Sequence, residues 1–203
     1  MHMRARGLAC LLVALLIAPA VCATAPDELV RRTAEEVLGI LRQDAAVAHG
    51  DMRAVSTIID AKVLPHFDFE RMTRLAAGKH WRTAAAPEQA ALVREFLALL
   101  VRTYAVALAE FRDRTLTYRP LDAAAGASEV VVQTEVATPS GKPIRLDYRM
   151  AQTGTEWKVY DILVDGVSLV VNYRALFDST VNQSGIAGLV DLLARKNAQA
   201  AAP

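Results

Sequence analysis

The chain has 203 residues, 53% of them hydrophobic and 22% charged. That composition excludes a disordered chain and supplies enough apolar side chains for one domain with a real core. With 23 basic and 22 acidic residues the formal net charge is +1, so no global field is available to grip a polyanion, which argues against nucleic acid as a partner.

Residues 1–23 read as a secretory signal peptide. Arg4 and Arg6 form a positive start, Gly7 to Ala18 is apolar and uncharged, and Val21-Cys22-Ala23 and Ala23-Thr24-Ala25 offer cleavage after Ala23 or Ala25. The apolar run is shorter than the roughly 20 residues a membrane span needs. A lipidated Cys22 is disfavoured, because Pro19-Ala20-Val21 makes a poor lipobox. Both cysteines, Cys10 and Cys22, leave with this segment, so no disulfide, thiolate nucleophile or Cys-ligated metal is expected in the mature chain. The mature chain then carries 21 basic and 22 acidic residues. One domain is expected over residues 24–197, followed by a frayed, disordered Ala-rich tail over 198–203.

Helical periodicity runs from Pro26 to about Ala48, with Val30, Ala34, Val37, Leu38, Leu41 and Ala45 at three- and four-residue spacing. Asp51 can cap a second helix with Met52, Val55, Ile59 and Val63 on its apolar face, ended by Pro65. A short helix is predicted from Asp68, with Phe69, Met72, Leu75 and Ala76 inward and Gly78 as its stop. A long one is predicted from Pro87 to about Phe111. Its apolar residues, from Leu92 to Leu108, cover far more than one stripe, so this helix must be enclosed or must line something apolar.

The period then changes from 3.6 to 2. Strands are predicted over Thr115–Pro120, Glu129–Ala137, Ile144–Met150 and Trp157–Val164, joined by short turns that favour an antiparallel meander. Helix returns over Ser168 to about Val181 and over Gly185–Asn197. The expected fold is α+β: a four-stranded antiparallel twisted sheet packed against several helices, with a cone-shaped space between the layers.

No catalytic set emerges. Gly166-Val167-Ser168-Leu169-Val170 follows a strand and enters a helix, but a nucleophile elbow needs Gly where Val170 stands, so Ser168 is read as a helix cap. His66, Asp68 and Glu70 alternate, yet they adjoin Pro65 and a helix start, so a metal site is not expected there. Gly78-Lys79-His80-Trp81 lacks the pattern of a phosphate-binding loop. We expect no cofactor, no metal and no enzymatic activity. The alternatives are a small hydrolase using Ser168 and a non-lipid envelope adaptor.

Several stretches occur together in one order: Phe67-Asp68-Phe69-Glu70-Arg71, Gly78-Lys79-His80-Trp81-Arg82-Thr83, Pro87-Glu88-Gln89, Trp157-Lys158-Val159-Tyr160-Asp161, Asp165-Gly166-Val167-Ser168-Leu169, Asn172-Tyr173-Arg174 with Phe177, and Gly185-Ile186-Ala187-Gly188-Leu189. In this ordered set the chain resembles the MlaC, or toluene-tolerance auxiliary, family, the periplasmic phospholipid-binding component of the Mla outer-membrane lipid-asymmetry transport system. One departure is Ala86, where the family often has a capping Thr. The resemblance implies a periplasmic phospholipid carrier that exchanges lipid with an inner-membrane MCE-domain transporter ring and an outer-membrane lipoprotein–porin complex. It also implies an apolar lipid cavity. Periodicity selects Leu97, Val101, Tyr104, Leu108, Val132, Val136, Leu146, Tyr148, Val159 and Val170 as its lining.

Overall fold

The computed structural model describes residues 24–199. The signal-peptide reading, with Cys10 and Cys22, lies outside them. Helix α1 spans Pro26–Gln43, and α2 is a single turn, Ala45–Ala48, capped by Asp44. The first predicted helix is thus divided at Asp44. Its side chain takes the Val47 N–H, offering the backbone a local alternative to continued helix. Helix α3, Met52–Ile58, is capped by Asp51, whose Oδ1 accepts from Arg53 and Ala54 N–H. It continues through a π turn at Ile59–Val63 into a 3₁₀ turn at Leu64–His66.

Asp68 caps α4, Phe69–Ala77, and Gly78 follows with φ of 57°. Positive φ suits glycine, and here it turns the chain into a 3₁₀ segment, Gly78–Arg82. Helix α5 runs Ala86–Phe111. Its N-cap is Ala85 rather than Ala86, and no cap comes from that side chain. Glu88 compensates by accepting the Ala85 N–H at 2.8 Å.

The sheet has five antiparallel strands in the order β1–β2–β3–β4–β5: Leu116–Tyr118, Glu129–Val136, Ile144–Thr153, Glu156–Val164 and Val167–Ser168. The expected number was four. The fifth strand is two residues long and pairs Leu163 with Ser168 and Val164 with Val167 across a tight turn. It is too short to show alternation, which is why periodicity missed it. Helix α6, Leu169–Gln199, joins the two expected C-terminal helices, with a kink at Gly185 where φ is 70°. It reaches two residues into the stretch read as tail.

The interior is built of three separate apolar clusters. One lies between α4, α5 and α6 around Phe96, Phe177, Leu189 and Leu193. A second joins α1, α2 and α3 to Ala105 of α5. The third seats Leu29 and Val30 of α1 on Val130, Val132, Met150 and Val159 of the sheet. In the first, Phe96 meets Tyr173 and Phe177 edge-on at 5.0 Å, an arrangement favoured by the ring quadrupoles.

Two polar clamps join the helices to the sheet. At the first, the Asp68 N–H donates to the Val159 carbonyl at 2.9 Å. Arg71 pairs with Glu129 at 2.7 Å and stacks over the Tyr160 ring at 3.6 Å. At the second, buried Asp161 accepts from the Ser168 hydroxyl at 2.7 Å and the Val170 N–H at 3.3 Å, with Arg149 at 3.5 Å.

Candidate apolar site between sheet and helices

Strand register fixes one face. Val132 pairs with Tyr148, Thr134 with Leu146, and Val136 with Ile144, while Leu146 pairs with Val164, Tyr148 with Ile162 and Met150 with Val159. Directly paired residues share a face. The predicted residues Val132, Val136, Leu146, Tyr148 and Val159 therefore share one side of the sheet.

They do not share one environment. Val132 and Val159 are buried in the cluster under α1, and Tyr148 packs beside them. Val136 is buried and Leu146 is half-buried, but neither belongs to any of the three clusters. The same holds for Ile144 and Val164. The sheet face is thus close-packed at the Met150 end, while at the other end half-buried Ile144, Leu146 and Val164 stand beside buried Thr134 and Val136.

On α5, Leu97, Val101, Tyr104 and Leu108 fall at spacings of four, three and four, which puts them on one side of the helix. All four are half-buried. Tyr104 packs toward the α4–α6 cluster, Val101 and Leu108 toward the α1–α3 cluster, and Leu97 belongs to neither. The main neighbours of α5 are α3, α4 and α6, whereas the sheet's main helical neighbours are α1, α4 and α6. Val170 is placed differently: it is buried among Phe96 and Phe177 in the helical core.

Periodicity missed Ile162 and Val164 for a physical reason. A β-bulge leaves Tyr160 as an extra residue, because Arg149 pairs with Asp161 while Met150 pairs with Val159. Val159 and Ile162 then face the same way although three residues apart, so counting by twos along this strand gives the wrong side. The bulge also frees Tyr160 from the ladder. Its hydroxyl donates to Glu129 at 3.0 Å, and its ring carries Arg71.

Hydroxyl groups interrupt the apolar face. Tyr118 pairs with Thr134, which is fully buried and donates to the Leu146 carbonyl at 3.2 Å. Burial pushes the Tyr118 hydroxyl up to about 12, with Glu35 and Tyr148 adding to the shift. Burial also raises Tyr148, and it lifts Tyr104 to about 12 with help from neighbouring Tyr173. These phenols stay neutral over any physiological range.

Ser168 does what the sequence reading assigned to it. Its hydroxyl accepts the Val171 N–H at 3.0 Å and donates to Asp161, so it caps α6. Among the described residues, histidine is not one of its hydrogen-bond partners. Ser168→Ala is expected to cost about 1 kcal/mol in chemical denaturation and to leave ligand content per folded molecule unchanged. Loss of function in a stable Ser168→Ala protein would return this hydroxyl to chemistry. Among the described residues no three His, Cys, Asp or Glu side chains gather as a metal site, and no helix is long and apolar enough to cross a membrane.

Known proteins of the same kind were found on both sequence and structure. Residues 31–195 match the family model described as MlaC protein. The toluene tolerance protein ttg2D of Pseudomonas putida is 26% identical over 181 residues, which cover 89% of this chain and 83% of that protein. The intermembrane phospholipid transport system binding protein MlaC of Haemophilus influenzae is 21% identical over 183 residues, covering 89% and 86%. The solved structure of a phospholipid-binding protein from Ralstonia solanacearum, in complex with a phospholipid, superposes with a TM-score of 0.81 at 36% identity, covering 87% of this chain and 98% of that one. With most of its length matched and the fold shared, the chain belongs to the MlaC family.

Proposed function

We propose that this protein is an exported carrier that holds a phospholipid by its acyl chains between the inner sheet face and α5, and that it has no catalytic activity. The observation that carries the reading is the set of half-buried aliphatics, Ile144, Leu146 and Val164 on the sheet and Leu97 on α5, that join none of the three clusters among the described residues. The phospholipid bound by the Ralstonia relative supports it. In the periplasm such a carrier would move lipid between an inner-membrane MCE-domain transporter ring and an outer-membrane lipoprotein–porin complex.

Energetics explain why a carrier is needed and what it must avoid. Each buried CH₂ is worth roughly 0.8 kcal/mol against water, so two bare acyl chains would cost on the order of 20 kcal/mol. A smooth apolar wall removes most of that penalty. Many tight polar anchors would hold the lipid better than a bilayer does and prevent its release.

Solvent extraction and mass spectrometry of the purified protein test this. The expected result is about one phospholipid per chain, on a polypeptide starting at Thr24 or Pro26. An empty protein that turns over esters would establish the hydrolase instead, and an empty, inert one an adaptor.

A further inference from the structure

We propose that the Tyr118 and Tyr148 hydroxyls donate hydrogen bonds to the ester carbonyls of the bound lipid, so that the carrier reads the ester linkage and fixes the depth of the glycerol backbone. This rests on the carrier reading above. Thr134 has spent its proton on the Leu146 carbonyl. Among the described residues neither phenol makes a hydrogen bond of good geometry to a protein acceptor, with Tyr118 beside Tyr148 and the Thr134 hydroxyl close enough to compete for the Tyr148 proton.

A wall made only for hydrocarbon would not place hydroxyls there. Both tyrosines are half-buried, so lipid filling the adjoining space would strip water from their hydroxyls; without an acceptor they would gain nothing in return, whereas Phe would present the same ring without that loss. Phenol is a donor, and an ester carbonyl is an acceptor with no proton of its own, so the two are complementary.

Location supports the same assignment independently. Tyr118 also lines a cleft of about 320 Å³ between α1 and β1, together with Leu38, Glu35, Arg42 and Arg114. It therefore stands where the apolar wall meets charged surface. In a phospholipid the ester groups occupy that same boundary, with chains on one side and the phosphate on the other.

The test is a competition. The mature protein is incubated with vesicles of equimolar diacyl phosphatidylglycerol and its dialkyl ether analogue, then separated and extracted. Wild type is expected to enrich the diester over the diether by about three- to tenfold, the factor that one or two ordinary hydrogen bonds supply. Tyr118→Phe and Tyr148→Phe together should bring the diester-to-diether ratio close to one in whatever lipid the variant extracts. Equal uptake by wild type would overturn the proposal with the carrier reading intact, and it needs no variant. A preference that survives in the double variant, or in Tyr118→Phe alone should the double variant fail to fold, also overturns it. Uptake of neither lipid would remove the carrier reading itself.

Discussion

Leu146→Glu is expected to give a folded protein from which phospholipid is lost. Leu146 is half-buried on the inner sheet face and belongs to no packed cluster. On the carrier reading proposed above, a carboxylate there would stand in the place of an acyl chain, but water admitted to the emptied space can solvate it. Stability should fall by only about 1–2 kcal/mol, while co-purifying lipid drops by about tenfold or more. Val101→Glu should also expel lipid, at a larger cost in stability, because Val101 packs against the α1–α3 cluster. Val132→Glu is the contrast. Val132 is 1% exposed in the cluster under α1, and an unpaired charge buried there should cost several kcal/mol and unfold the protein. Melting temperature and extracted lipid, measured on each variant, separate the cases. A folded Leu146→Glu protein with full lipid would remove Leu146 from the wall, and its unfolding would make the site an ordinary core.

Phe96→Ala should do the opposite. Phe96 is fully buried and touches Tyr173 and Phe177 edge-on, so it ties α5 to α6 in a cluster that includes no strand residue. Its truncation leaves a cavity in a close-packed cluster, at a cost of about 3–5 kcal/mol. For a domain of this size that is a fall of roughly 10 °C in melting temperature. Lipid per folded molecule should be unchanged. Lipid loss in step with Leu146→Glu would show that the helical core and the wall are one unit.

The sequence displayed the fold wherever pattern and chemistry agreed. Asp51, Asp68 and Ser168 were legible as caps because each is a short polar side chain before an apolar run, and each does cap. The faces of β2 and β3 were legible because one side alternates cleanly. Three features were not. Strand β5 is too short to carry a period, the bulge at Tyr160 reverses the phase of β4, and Asp44 divides α1 from α2 by a local hydrogen bond that an apolar pattern does not record. Periodicity selected Val170 for the wall. The helix that starts at Leu169 turns it into the α4–α6 cluster instead. The phenols were visible as residues but not as a group, since what joins Tyr118, Thr134 and Tyr148 is register across three strands.

Division of the interior into three clusters also bears on how such a chain can drift over generations. The Phe96–Tyr173–Phe177 knot admits few replacements, because rigid neighbours must interlock with whatever stands there. A wall facing fluid hydrocarbon makes no such demand. One branched aliphatic there can replace another, and the lipid adjusts its own shape to the change. On the carrier reading proposed above, selection on this part of the molecule would act on oiliness rather than on outline. Ile144, Leu146 and Val164 would then be free to diverge widely while the backbone around them stays in place.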